Sequence, residues 1–311
     1  MAYSIDRCPA CASLELTERP AIISPFLNEY VFGGQGGGCT IAACRRCGLQ
    51  FFTSRLSETE TARLYAGYRG EPYFTARHRH EFWYTRRFQD RLGSGADIGI
   101  RRDQLRQTLA RHVDPVAIGS VLDYGGDRGQ ILSDGPGRLR YVFDLSGVQP
   151  IRGIQGLPDE AALGRTRVDL ILLCEVLEHA SEPVDLLQRM GSLLLPGGLV
   201  FVTVPHEQLS FADIPTGAWY RRYVSSLQRR PALLRWIDFY STASRVKFRR
   251  IPPFGLVKMH EHLNLFTPAA LGHALEAAGF EILECQLASS AGPIVALARY
   301  RHTEPQGSSS T

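Results

Sequence analysis

The sequence predicts a doubly wound α/β fold of Rossmann-like type, with a small metal-binding module at the N-terminus. Three observations carry this. From Ile118 onward, short apolar runs alternate with helical patterns, the rhythm of buried parallel strands joined by crossover helices. The run Val121-Leu122-Asp123-Tyr124-Gly125-Gly126-Asp127-Arg128-Gly129-Gln130 ends the first such strand in glycines, which let backbone approach a ligand closely. Two Cys-x-x-Cys pairs, Cys8/Cys11 and Cys44/Cys47, lie upstream.

The whole chain sets the bounds. Its 311 residues, 44% hydrophobic and 21% charged, suit one α/β domain of about 200 residues plus an accessory module. No apolar run approaches the roughly 18–20 residues that span a bilayer. The first residues lack the hydrophobic stretch of a signal peptide. A cytoplasmic location with no membrane partner is therefore expected. The net charge of +4 is too mild to demand nucleic acid. Residues 221–250 hold nine Lys or Arg against one acid, Asp238. They read as a phosphate-binding stripe or, equally, as a solvated helical face.

In order along the chain, residues 1–56 form the zinc-binding module, with Gly33-Gly34-Gln35-Gly36-Gly37-Gly38 as a loop between small strands. Residues 57–112 form a helical, aromatic lid segment that opens on a capping box, Ser57-x-x-Glu60. Residues 113–301 form the core. Its strands are expected at Ser120–Tyr124, Leu139–Leu145, Val168–Cys174, Leu199–Val204, Phe280–Ala288 and Ile294–Tyr300, with helices near Pro183–Leu195 and Pro268–Ala278. An aromatic, arginine-rich insertion on the acceptor side occupies 205–262. Residues 302–311 read as a disordered polar tail.

The crevice after the first strand of such a sheet takes a nucleotide-like ligand. About fifteen residues on, Tyr141-Val142-Phe143-Asp144 ends the next strand with a carboxylate suited to ribose hydroxyls. These features alone permit NAD as well as S-adenosylmethionine. Two later segments separate them. Asp169–His179 resembles the fourth-strand motif of class I methyltransferases, and Leu193-Leu194-Leu195-Pro196-Gly197-Gly198-Leu199-Val200 resembles the turn before their fifth strand. The resemblance implies a seven-stranded, mostly parallel sheet and S-adenosylmethionine as cofactor. Asp123 and Gly125, with Gly126 and Gly129, would line its methionine moiety. Asp144 would bind the ribose, Cys174 and Glu175 would flank the adenosine, and Leu145 would also contact the cofactor. Asp127 replaces the family's usual second glycine, where it would reach the ammonium group or cap the following helix. That helix must be short, since Gly135-Pro136-Gly137 follows.

Four thiolates, Cys8, Cys11, Cys44 and Cys47, match tetrahedral Zn²⁺ in a closed, structural site. An iron centre or metal-free pairs are the alternatives. The combination of this module, a class I core and Glu261-His262 followed by Phe266 resembles deoxysugar C-methyltransferases. That resemblance implies His262 as general base with Glu261 as its orienting partner. Many small-molecule O-methyltransferases also carry a His-x-x-x-Phe-Thr pattern here, in which the histidine shapes the pocket wall. His206-Glu207, after the fifth strand, is a second candidate pair. His179 reads as a hydrogen-bonded structural residue. The expected activity is methylation of a small polar metabolite, such as a nucleotide-linked sugar or a natural-product intermediate. The alternatives are an RNA methyltransferase and a non-catalytic scaffold. Against RNA, no base-flipping Asn-Pro-Pro-Tyr motif follows the fourth strand; Cys174-Glu175-Val176-Leu177 stands there.

Overall fold

A computed structural model describes residues 3–36, 38–91, 95–290 and 292–302. Gly37 of the glycine-rich loop and residues 303–311 of the expected tail lie outside the described residues. The first elements are short: β1 (Tyr3–Ser4), β2 (Leu16–Ile23), α1 (Pro25–Tyr30), β3 (Gly38–Cys44), β4 (Gln50–Phe52) and β5 (Ser54–Arg55). Four helices follow: α2 (Glu58–Tyr65), α3 (Glu71–His80), α4 (Arg86–Arg91) and α5 (Gly95–His112). The reciprocal capping box between Ser57 and Glu60 starts α2, satisfying two backbone donors that a helix end otherwise orphans.

The core contains β6 (Ser120–Tyr124), β7 (Leu139–Phe143), β8 (Gln155–Gly156), α6 (Glu160–Arg165), β9 (Val168–Cys174), α7 (Pro183–Ser192) and β10 (Leu194–Val204). The insertion supplies α8 (Ala218–Gln228), α9 (Pro231–Phe248) and β11 (Lys258–Met259). Then come β12 (Asn264–Leu265), α10 (Pro268–Ala277), β13 (Phe280–Leu287) and β14 (Ile294–Tyr300). Seven strands form one sheet in the order β13-β14-β10-β9-β6-β7-β8. From β10 to β8 every neighbour is parallel, while β14 runs antiparallel to both β10 and β13. This is the seven-stranded, mostly parallel sheet that the resemblance implies. Alternate residues of β9 serve opposite faces: Leu170 and Leu172 pack with Leu105 and Leu109 of α5, whereas Ile171 and Leu173 pack with Leu187 of α7 and Leu271 of α10.

The strands fall close to their expected positions. β7 stops at Phe143 because Asp144 already turns the chain; its carboxylate accepts from the Ser146 N–H (2.8 Å). The helix after the glycine loop shrinks to one 3₁₀ turn, Gln130–Leu132.

A second sheet has the order β11-β2-β3-β4-β12. Its three central strands come from the first 56 residues, and its two edges come from either side of residues 260–263. Ala42, Cys44 and Phe51 point into the core of the large sheet, while Ile41 and Phe52 point to the core that holds Tyr73, Tyr84 and Tyr220 of the helical segments. The small sheet is thus a layer between the large sheet and the lid.

Candidate active site

At the carboxyl end of β6 the backbone turns through three left-handed residues: Gly125 (φ +71°), Asp127 (φ +53°) and Gly129 (φ +74°). A Cβ on Gly125 would lie 2.8 Å from Val176 Cγ2, and one on Gly126 would lie 2.2 Å from the Asp123 carboxylate carbon. Glycine is required at both. Asp127 adopts the same conformation with a side chain, a strain that clusters at functional sites. Its carboxylate accepts from Gln130 Nε2 (3.2 Å).

Asp123 is fully buried, and neither carboxylate oxygen has a hydrogen-bond partner. Burial, and then the nearby Asp144 carboxylate, pushes its pKa up to about 7. A buried anion without a partner is costly, and a cationic or hydrogen-bonding ligand beside it removes that cost. Asp144, at the end of β7, accepts from the Asp127 N–H (2.8 Å) and the Ser146 N–H (2.8 Å). Each oxygen keeps a lone pair for a ribose hydroxyl. Leu145 beyond it is exposed. Cys174 ends β9, buried, its thiol pushed up by that burial. Glu175 follows in a left-handed conformation (φ +59°), and burial raises its carboxyl. The cofactor residues read from the sequence therefore converge on the carboxyl edge of β6, β7 and β9.

On the acceptor side a cleft of about 350 Å³ is lined by Glu175, His206 and Glu207, with Arg101 and Gln104 of α5 opposite. His206 is exposed at this cleft. A larger cleft of about 730 Å³ runs beside Cys8, Cys11 and His273 and touches none of the residues read from the sequence as cofactor-binding.

The structure corrects one expected pairing. His262 does not lean on Glu261; its Nδ1 lies 3.1 Å from Glu207 Oε2. Burial opposes a charge on His262, yet the Glu207 hydrogen bond and the nearby Glu178 carboxylate lift its pKa to about 9. Glu261 turns the other way, to Tyr73 Oη and Arg77 of α3. Burial would raise its carboxyl, but Arg77 and the neighbouring histidines hold it near 2. The physical reason is the bend at Glu261 between β11 and β12: Glu261 is held with His260 in the charge cluster around Arg77 and Glu81, while His262 beyond the bend meets Glu207. His260 lies 3.2 Å from Glu81, among Lys258 and Arg77, inside the lid core. Phe266 is fully buried with the cysteine module, a packing residue.

Sequence reasoning missed two groups. Glu207 was seen only as a partner for His206, because its contact with His262 spans 55 residues. Glu178 went unnoticed inside the fourth-strand motif. It is fully buried with both oxygens unpartnered, and burial together with Glu175 raises it to about 8. His179 Nδ1 lies 3.0 Å from the Glu261 carbonyl oxygen, in keeping with the structural role expected of it.

The four cysteines of the N-terminal pairs converge as well. Cys8 Sγ lies 3.5 Å from Cys47 Sγ and Cys11 Sγ lies 3.6 Å from Cys44 Sγ, and all four sulfurs are within 4.8 Å of one another. Sulfurs bonded at 2.3 Å to one tetrahedral ion stand about 3.8 Å apart, so this donor set matches the spacing of a Cys₄ ion to within about an ångström. A disulfide needs about 2.05 Å.

The sheet order, the glycine turn and the two carboxylates define a methyltransferase that uses S-adenosylmethionine. The chain belongs to the methyltransferase domain family, whose pattern it matches over residues 98–285. It is 28% identical over 209 residues to the ubiquinone biosynthesis O-methyltransferase of Azorhizobium caulinodans, a match covering 60% of this chain and 70% of that one. Among solved structures it is similar to the 1,6-didemethyltoxoflavin-N1-methyltransferase of Burkholderia thailandensis, bound to 1,6-didemethyltoxoflavin and S-adenosylhomocysteine. That likeness has 15% identity and a TM-score of 0.42, covering 84% of this chain and 95% of the other. The N-methyltransferase NodS of Bradyrhizobium japonicum, in complex with S-adenosylhomocysteine, is also similar (15% identity, TM-score 0.36, 65% and 86% covered). Among the described residues, no helix is long and apolar enough to cross a membrane.

Proposed function

We propose that this enzyme methylates a small polar metabolite, a nucleotide-linked sugar or a natural-product intermediate, at carbon or oxygen. The observation that carries the reading is the orphaned Asp123 carboxylate beneath the Gly125–Gly129 turn, next to a cleft edged by His206 and Glu207. The O-methyltransferase relative from Azorhizobium favours oxygen as the acceptor atom. S-adenosylmethionine supplies an electrophilic methyl group. An oxygen lone pair of the acceptor, or the carbanion left when a carbon-bound proton is removed, forms the new bond as the carbon–sulfur bond breaks and S-adenosylhomocysteine leaves. The acceptor's proton passes through the cleft to water. Asp123 would hold the methionine end and Asp144 the ribose; Cys174 and Glu175 would flank the adenosine. His262, fixed by Glu207, and His206 beside the same carboxylate are the polar groups that would orient the acceptor. In-line positioning is most of what such a displacement needs. The Cys₄ cluster in this reading holds a structural Zn²⁺, with no open coordination position for chemistry.

Calorimetry against S-adenosylmethionine and NAD tests the cofactor assignment. Saturable binding of the methyl donor, with NAD silent, is expected. In Gly125→Val, whose side chain collides with Val176, that binding should vanish while the circular dichroism spectrum is kept. Unchanged affinity in this variant would refute the site.

A further inference from the structure

We infer that Glu178, His179 and His262 form a binding site for a divalent cation, distinct from the cysteine cluster. One ligand atom from each lies within 4.8 Å of the others. Two imidazoles and a carboxylate suit a divalent transition-metal ion such as Mn²⁺, Co²⁺ or Zn²⁺. Glu178 supplies the strongest indication: it is fully exposed to protein and not at all to solvent, and neither oxygen accepts a hydrogen bond. Its Oε1 lies 3.8 Å from His179 Nε2.

Both histidines are already oriented from behind. His179 Nδ1 faces the Glu261 carbonyl at 3.0 Å, and a carbonyl can only accept, so Nδ1 carries the proton and Nε2 keeps its lone pair. His262 Nδ1 faces Glu207 Oε2 at 3.1 Å, which leaves Nε2 as the ligand atom, its proton released when a cation binds. Such an outer acceptor on the second ring nitrogen is the usual companion of a metal-bound histidine.

The backbone holds the three ligands together. The Leu263 N–H donates to the Glu178 carbonyl (2.7 Å), and the Asn264 amide donates to the carbonyls of Leu177 (3.1 Å) and Ala180 (2.7 Å). Two stretches remote in sequence are thereby fastened with Glu178, His179 and His262 on either side of one seam. An ion with bonds near 2.1 Å sets its ligands about 3.0–3.4 Å apart, so the side chains must draw in by about an ångström. Three protein ligands leave positions for water or for an acceptor oxygen. Cation binding here needs neither the acceptor nor bound cofactor.

The test is equilibrium dialysis of the full chain against Mn²⁺, an ion that thiolate sites hold poorly, with bound manganese counted by mass spectrometry. We expect about one Mn²⁺ per chain, weakened roughly 10–100-fold in Glu207→Gln and lost in Glu178→Gln and His262→Gln. His262 is partly exposed, so its variant keeps the fold, and circular dichroism checks this. Absence of saturable Mn²⁺ binding, or binding that survives unchanged in His262→Gln, overturns the site.

Discussion

At the scale of single residues, Asp123 shows how a buried carboxylate, here proposed to hold the cofactor, costs stability. An unfolded aspartate titrates near 3.9, whereas burial and Asp144 hold this one at about 7. Between those values the folded chain keeps a proton that the unfolded chain has lost. Stability contributed here is therefore lost as pH rises from about 4 to about 7. Asp123→Asn cannot ionise and escapes that loss. Urea titrations of the ligand-free protein should find the stability difference between variant and parent shifting in the variant's favour by on the order of 2–3 kcal/mol between pH 5 and pH 8. The same variant should bind S-adenosylmethionine more weakly. A difference that is flat with pH would mean that Asp123 is ionised throughout. The convergence of the proposed cofactor residues was legible at this scale, because Asp123, Gly125, Gly129 and Asp144 sit at fixed places after strands that their own patterns reveal. The partner of His262 was not. Adjacency suggested Glu261, but Tyr73 and Arg77 of α3 hold that carboxylate, and only the fold brings Glu207 near.

At the scale of elements, the long buried strands announced themselves through continuous apolar runs, and β6, β9 and β14 lie where those runs predict. The two-residue strands β8, β11 and β12 carry no such pattern; they are strands only because a partner is beside them. Helix α10 combines both kinds of information. Thr267 caps it by accepting from the Ala270 N–H (3.1 Å), and its hydroxyl donates to the Cys47 carbonyl (3.0 Å). One side chain thus starts a core helix and ties down the second cysteine knuckle. Thr267→Val keeps the shape and deletes both bonds, which should cost about 1–3 kcal/mol in denaturant titrations. Thr267→Ser should recover most of it. A valine variant as stable as the parent would show that the hydroxyl anchors nothing.

At the scale of the molecule, the sequence suggests a small module placed ahead of a catalytic core, whereas the layers interlock. Cys8, Cys44 and Cys47 share one buried cluster with Phe51, Phe266, Leu271 and the strands of the large sheet. The opposite face of the small sheet buries Ile22, Ile41 and Phe52 against the lid. Its edge strand β11 pairs with β2, and β12 pairs with β4, so the chain leaves the small sheet directly into α10. A layer with apolar contacts on both faces has no independent surface along which to melt alone. If the cysteines hold Zn²⁺, as proposed, losing the ion should then loosen the methyltransferase sheet as well as the knuckles. Cys44→Ser should lose the zinc and lower the melting temperature by on the order of 10 °C. Calorimetry should still record one transition, because no layer can unfold and leave the others intact. Two separated transitions, with the upper one at the parent's temperature, would mean that the cysteine module is an appendage and that the shared core contributes little to coupling.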